Sequence, residues 1–376
     1  MVIDAGWAAP TWTEPTYGRS ATGEQAKVIA EEFAKRRAPG SGQDRHNLWA
    51  NTMVAYGSPE LQSRMLRPLL MDQVAMCLLY SEPGAGSDLA GLQTRADRDG
   101  DEWVVNGQKV WTSGAKTAEY GMLIARTNWE VPKHQGVSFF WFPMRQPGVE
   151  VRPIRQITGE AHFNEVFLTD ARVPNANMLG GPGEGWRVLQ TALAYERSLM
   201  GDVARGPRQP GVGERDRGGD RDAPTVVTSK GATDIDLWAM ARARGVERDP
   251  VIRQAISYVH TLRKVNQWNG QRAKAQLSQG TSAPILSLGK LAMSRILHLG
   301  AKVQGQIVGA EAMLVGDEHP DAADANFLAL NAYFTSIGGG TDQIQRNIIA
   351  ERVLGLPKEP EPDRDLPFSQ VRKASR

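Results

Sequence analysis

Ser81, Gly84, Gly86 and Ser87 fall within one short stretch, Ser81-Glu82-Pro83-Gly84-Ala85-Gly86-Ser87-Asp88, that follows the apolar run Leu78-Leu79-Tyr80. Glycine lacks a Cβ, so the backbone here can come close to a ligand. The serines add hydroxyls and N–H groups able to bind a phosphate or a heteroaromatic ring. Taken alone, the loop reads equally well as a surface turn. Downstream, Lys109-Val110-Trp111-Thr112-Ser113 supplies an aromatic face and further hydroxyls, and strand alternation would set Trp111 and Ser113 on one side. A stacking surface beside a hydrogen-bonding edge is what a planar cofactor needs.

A second candidate is a carboxylate. Steps of three and four from Gly185 towards Ala204 pass through Trp186, Leu189, Leu193, Glu196, Met200 and Val203, which puts Glu196 on the apolar stripe of a helix. Burial of an unpaired carboxylate is costly, so Glu196 must be paired, raised in pKa, or useful as a base. An ion pair with Arg197 or a neighbouring helix satisfies the pattern as well as a general base does.

The elements that must position these groups follow from periodicity and punctuation. Residues 1–19, rich in proline, tryptophan and glycine, read as an irregular entry. Residues 22–37 have helical spacing through Val28, Ile29 and Phe33. Ser58-Pro59-Glu60 is a helix start, opening a segment that carries Leu61, Met65, Leu66 and Leu69. From 74 to about 177 the period becomes two, with strands expected at 103–105, 120–126, 137–142, 149–153 and 164–168 and hairpins at Asp99-Gly100 and Asn106-Gly107. Gly180-Gly181-Pro182-Gly183 then precedes helices over 185–204, from Asp234, and over 253–273, 284–314 and 323–336. A last helix over 342–354 is capped by Thr341, with Asp342 in its first turn and an anion-attracting N-terminus. Residues 205–232, dominated by arginine, aspartate, glycine and proline, read as a flexible and dispensable insertion rather than a nucleic-acid arm. The proline- and charge-rich tail after Gly355 is expected to order only where it touches a neighbour.

Composition narrows the class. The chain has 376 residues, enough for two or three domains, and its 44 basic and 42 acidic side chains leave a net charge of +2. That balance gives no reason to invoke nucleic acid. The single cysteine, Cys77, excludes an intramolecular disulfide, reads as a buried small hydrophobe and suggests a reducing compartment. No secretory leader is visible and no apolar run approaches the roughly 20 residues of a membrane span, so a soluble cytoplasmic protein is expected.

The string YSEPGAGSD followed by NGQKVWTSGA resembles the flavin-binding signature of the acyl-CoA dehydrogenase family, and the likeness runs from about residue 6 to about residue 357. The resemblance implies an α+β fold with a shortened N-terminal helical domain (1–73), a middle β-barrel-like domain (74–184) and a C-terminal four-helix bundle (185–376). GWAAPTWTEPTYG resembles the family segment that follows an opening helix pair, so that pair is expected to be missing. The implied activity is FAD-dependent α,β-dehydrogenation of an acyl-CoA thioester to the 2,3-enoyl product, in fatty, branched-acyl or sterol side-chain β-oxidation.

By the same resemblance, Glu196 in Tyr195-Glu196-Arg197-Ser198 stands where isovaleryl-type and long-chain members carry their base. The commoner base position is occupied here by Gly339, and the run from Gly338 to Gly340 is expected to leave volume for a bulky or branched acyl group. Expected cofactor contacts are Leu79, Tyr80, Ser81, Gly86, Ser87, Trp111, Thr112, Ser113, Gln306, Gly309, Ala310, Thr341 and Gln343. Expected substrate contacts are Ser87, Tyr195, Arg197, Gly339 and Gly340, and no metal is expected. The family's Arg-x-x-Phe-Gly is not intact, with only Arg242 and Arg244 near its place. Implied partners are the acyl-CoA, an electron-transferring flavoprotein as acceptor, and a second copy in a homodimer or homotetramer, or a related chain in a heterotetramer. A non-catalytic partner subunit and a flavin oxidase or monooxygenase are the alternative functions on this fold.

Overall fold

A computed structural model describes residues 1–203, 236–278, 285–316 and 318–371. The chain forms two compact units, Met1–Leu199 with Pro360–Arg376, and Met200–Glu359.

The first unit opens with turns and then α1 (Gly23–Lys35), where Thr22 and Gln25 cap each other reciprocally. The short α2 (Gln43–His46) and α3 (Leu48–Tyr56) follow, neither foreseen in the sequence. α3 is buried on most sides and shows no polar face to betray a helical period. α4 (Pro59–Leu70) starts where Ser58-Pro59-Glu60 predicts, with Ser58 Oγ accepting from Leu61 N at 3.2 Å, and it buries Leu61, Met65, Leu66 and Leu69.

Eight strands make the middle sheet: β1 (Met76–Leu79), β2 (Arg95–Asp99), β3 (Glu102–Lys109), β4 (Tyr120–Arg126), β5 (Val137–Pro143), β6 (Val149–Ile154), β7 (Phe163–Pro174) and β8 (Met178–Leu179). Their order is β6-β7-β3-β2-β4-β5-β8, with β1 parallel to β4. All five expected strands are present. β4 and β5 are buried on both faces, hence their continuous apolar sequences. Met122, Ile124, Phe139 and Trp141 face a core shared with α3 and α4, while Leu123, Ala125, Phe140 and Phe142 face one closed by Trp103, Val166 and Val173.

Asp99-Gly100 does turn β2 into β3, with Gly100 at φ +61°. Asn106-Gly107 does not make the expected hairpin. It lies inside β3, at a bulge against β7, because the Asn106 side chain accepts from Asp170 N (2.9 Å) and donates to Asp170 Oδ1 (3.0 Å). Glycine is needed at 107 because a Cβ would lie 2.5 Å from Thr94 Oγ1.

α5 (Gly185–Val203) leaves the sheet by packing its start on β5. A Cβ at Gly185 would lie 2.7 Å from Ser138 Cα, and Val188, Leu189 and Ala192 are buried in the core shared with α3 and α4. Residues 360–371 seat against the loop between β4 and β5 of their own chain.

The second unit is helical: α6 (Leu237–Ala243), α7 (Pro250–Ser278), α8 (Leu286–Val308), α9 (Pro320–Ile337) and α10 (Asp342–Arg352). α8 is central and packs against α7, α9 and α10. The helix expected over 284–314 is broken at Gly309, where φ +69° stops α8 and a 3-10 turn continues to Met313. The insertion at 205–232 lies outside the described residues. Among the described residues, no helix is long and apolar enough to cross a membrane.

Candidate active site

The glycine-rich loop is a tight turn mounted on a buried ion pair. Glu82 N and Ala85 N each donate to the other residue's carbonyl, at 3.0 and 3.1 Å, and Val110 N ties the loop to the end of β3 through Ser81 O at 2.9 Å. Leu79, Tyr80, Glu82 and Ala85 are buried, whereas Gly84, Gly86 and Ser87 are exposed. A Cβ at Gly84 or Gly86 would meet nothing, and neither residue is left-handed. The fold therefore does not require glycine at either position, and the backbone there is open to close approach from outside the chain.

Beneath the loop Lys109 is fully buried, donating to Glu82 Oε1 at 2.9 Å and Tyr80 O at 3.1 Å. Glu82 also accepts from Gln93 N (2.7 Å) and Thr94 N (2.8 Å). Burial pushes the Lys109 pKa down against the pull of Glu82. Burial alone would raise Glu82, but the Lys109 charge and the backbone donors outweigh it and hold the carboxyl below its usual range.

The strand alternation expected through Trp111 and Ser113 is replaced by a bend. β3 ends at Lys109, and Trp111 adopts φ +62°. The cause is Thr112, whose N and O pair with Asn164 O and N at 3.0 and 3.1 Å, while Asn164 Nδ2 also donates to Thr112 O at 2.9 Å. Thr112 is thereby planted inward. Trp111 and Ser113 still emerge to solvent on either side of it, the indole 58% exposed with Phe163 edge-on at 6.0 Å. A left-handed backbone under an exposed tryptophan is unfavourable for a chain that meets only water. Loop and indole together fit a planar, phosphate-bearing cofactor.

α5 carries Tyr195, Glu196 and Arg197 along its backbone. Tyr195 is half-buried, and burial, then the nearby Tyr56, push its phenol pKa up. Tyr56 itself bonds Thr191 one turn earlier at 2.8 Å. The side chains of Glu196 and Arg197 lie outside the described residues.

In the second unit, Gly339 and Gly340 are left-handed at φ +66° and +91°. The volume expected to be empty beside this run is partly filled. A Cβ at Gly338 would lie 2.6 Å from Phe334 Cε2, and one at Gly340 2.9 Å from Gln345 Nε2. Thr341 caps α10 as expected, accepting from Ile344 N at 3.2 Å, with Gln343 exposed in the first turn. Gln306, Gly309 and Ala310 are exposed together where α8 ends.

Sequence reasoning missed what anchors this end of α10. Asp342 accepts from Ser294 Oγ (2.8 Å) and Lys290 Nζ (3.3 Å), Ser294 meets Ser336 at 2.9 Å, and Ser336 meets His298 Nε2 at 2.7 Å. Burial lowers the Lys290 pKa despite the pull of Asp342. The network is spread over α8, α9 and α10, so no local motif announces it. Arg244 is already engaged by Glu311 and Asp321, which ties α6 to the turn after α8 and to α9. Among the described residues no group of His, Cys, Asp and Glu could hold a metal.

Residues 77–171 match the acyl-CoA dehydrogenase middle domain and 236–354 the acyl-CoA dehydrogenase C-terminal domain. Acyl-CoA dehydrogenase IpdE1 of Mycobacterium tuberculosis is 36% identical over 365 residues, spanning 94% of this chain and 86% of that protein. The chain belongs to the acyl-CoA dehydrogenase family. It is accordingly an oxidoreductase of that type, as the glycine-rich and tryptophan motifs led us to expect. The solved ChsE4–ChsE5 complex of Mycobacterium tuberculosis superposes with TM-score 0.66 at 26% identity, covering 95% of this chain and 88% of that one. The Tcur3481–Tcur3483 steroid ACAD superposes with TM-score 0.70 at 24% identity, over 96% and 88% of the two chains, and shows the same α+β fold.

Proposed function

We propose that this chain is an FAD-dependent acyl-CoA dehydrogenase that converts an acyl-CoA thioester to its 2,3-enoyl product. The observation that carries this reading is the exposed surface formed by Trp111 and the loop of Gly84 and Gly86, an aromatic face beside open backbone that nothing in the chain covers among the described residues. Bound FAD would supply the acceptor for the hydride that leaves the substrate β carbon. Trp111 packs on the flavin, Ser81 and Ser113 bond its polar edge, and Ser87 serves the pyrophosphate or the substrate. By the resemblance, Gln306, Gly309, Ala310, Thr341 and Gln343 form a second group of flavin contacts that meets the FAD of a neighbouring subunit, Thr341 and Gln343 from the positive end of α10. Glu196 takes the substrate α proton as the general base. Arg197 stabilises negative charge near the thioester, and Tyr195 lines the substrate.

The domain plan that goes with this reading is 1–73, 74–184 and 185–376. A base at 196 with no side chain at 339 suits a bulky or branched acyl group, of branched-acyl or sterol side-chain type. The protein works in the cytoplasm, passes electrons to an electron-transferring flavoprotein and assembles as a dimer or a dimer of dimers. The solved ChsE4–ChsE5 relative is a complex, which favours a related second chain as the alternative partner.

Anaerobic titration of the purified protein with straight, branched and polycyclic acyl-CoAs, followed by flavin absorbance, tests the reading. We expect bleaching by the bulkier members and slow recovery in air. Bleaching by none of them overturns the assignment, and rapid recovery in air makes the protein an oxidase.

A further inference from the structure

Residues 360–371 lie along the loop that joins β4 to β5. Phe368 N donates to Val131 O and Ser369 N to Trp129 O, both at 2.9 Å, and Ser369 Oγ donates to Glu130 Oε2 at 3.0 Å. Phe368 is the anchor, 5% exposed, with its ring 5.4 Å from that of Trp129. The guanidinium of Arg126 stands over the Phe368 ring, 3.6 Å from its centroid, and 5.6 Å from that of Trp129.

Arg126 is fully buried, and its donors reach back to the segment that follows the glycine-rich loop. Nε donates to Leu92 O at 3.1 Å, Nη2 to Ala90 O at 2.6 Å, and Nη1 to Lys133 O at 3.1 Å. Burial pushes its pKa down to about 10, with Glu82 and Asp88 acting in the opposite direction. The cation is thus held by carbonyls of 90 and 92 and of the 127–136 loop, and by an aromatic face that the tail supplies. An ionic route runs in parallel: Lys133 Nζ bridges Asp88 Oδ1 at 3.1 Å and Glu361 Oε1 at 2.8 Å. Both routes begin in the tail and end within residues 88–92, next to Ser87.

We propose that residues 360–371 are a positioning strap for the ligand loop, acting through Arg126 and Lys133 to hold residues 81–92 in the form that binds FAD and acyl-CoA. The identity of the ligands rests on the function proposed above. The mechanical coupling rests only on the contacts just described. Releasing Phe368 takes away the nearer of two aromatic rings on the guanidinium, leaving Trp129 at 5.6 Å, and lets water reach Arg126 to compete with the carbonyls of Ala90 and Leu92. The strap therefore affects binding more than the chemical step.

The test compares full-length wild type with Phe368→Ala, Phe368→Tyr and Lys133→Met by hydrogen exchange, flavin affinity and steady-state kinetics. The Gly91 and Leu92 amides, which donate to Asp88 O and Leu89 O, report on the loop, and the Phe368 and Ser369 amides report on the seat of the tail. In Phe368→Ala both pairs should exchange faster, and FAD affinity or acyl-CoA KM should worsen by on the order of 10-fold, the scale of one desolvated cation–π contact. The kcat at saturating cofactor and substrate should stay close to wild type. Phe368→Tyr, which keeps the ring, should restore all three, and an added peptide of residues 360–371 should do so for a chain ending at Glu359. Unchanged exchange at Gly91 and Leu92 once the tail has come off overturns the strap. If Phe368→Ala does not fold, Lys133→Met reads the ionic route alone, and there too an unchanged loop overturns it. Coupled exchange in a protein that binds neither FAD nor acyl-CoA upholds the strap and defeats the proposed function instead.

Discussion

Replacing Lys109 by methionine keeps most of the side-chain volume and removes the cation that is ion-paired with Glu82 at 2.9 Å. Glu82 would keep its donors at Gln93 and Thr94, but the charge of a buried carboxylate would lose its partner. Removing one member of a buried pair costs about 3–5 kcal/mol. The surviving backbone donors place this case at the lower end, about 3 kcal/mol, or about 10²-fold in the opening equilibrium. The chain has two units, so global denaturation is a poor readout, and hydrogen exchange of the β3 and β4 amides, corrected for intrinsic rates, is the better one. Acid should narrow the deficit. In the wild type the folded pKa of Glu82 is depressed, so its stabilisation is present above the unfolded carboxyl pKa and is lost as pH falls through the folded value. In the variant, burial is left to raise the pKa, so the penalty is greatest near neutrality and shrinks as the carboxyl takes a proton. Adding Glu82→Gln should recover part of the loss. Wild-type protection in Lys109→Met at neutral pH, or a deficit that widens in acid, would refute the reasoning.

Other outcomes follow from single residues. Burial pushes the Cys77 thiol up to about 12, so iodoacetamide should label it only after unfolding, and ready labelling of the native protein by mass spectrometry would contradict the burial. Gly339→Ala should cost about 1–2 kcal/mol, read by hydrogen exchange of the α9 and α10 amides, because its φ is +66°, and Gly339→Asn less; wild-type protection in the alanine variant would show a different backbone there. Exchanging residues 205–232 for a short Gly/Ser linker should leave flavin content and turnover nearly unchanged, since their composition buries little apolar surface.

The strands were legible where burial leaves a plain trace. YGMLIAR and VSFFWFP, apolar on both faces, could hardly be anything else, while β2, RADRD, offers the core only Ala96 and passed unnoticed. Asn106-Gly107 has turn chemistry, yet Asp170 on β7 recruits the asparagine side chain and turns the pair into a bulge, a contact between residues far apart in the chain. The same distance hid the supports of the site. The loop and Trp111 form compact motifs, but Lys109 under Glu82, Ser294 under Asp342 and Phe368 under Arg126 pair only in the fold. Trp111 illustrates both sides: its motif was legible in the sequence, whereas the bend that replaces the expected alternation, and its left-handed backbone, depend on Asn164 gripping Thr112.

The central claim is that Glu196 removes the substrate α proton. Its most direct test is the rate of flavin reduction by acyl-CoA in anaerobic stopped flow, comparing wild type with Glu196→Gln at matched FAD and substrate occupancy. The substitution keeps the side-chain shape and removes the base, so both ligands should still bind while reduction slows by on the order of 10²–10⁴-fold. Reduction at a near wild-type rate in Glu196→Gln would place the base elsewhere and contradict the mechanism.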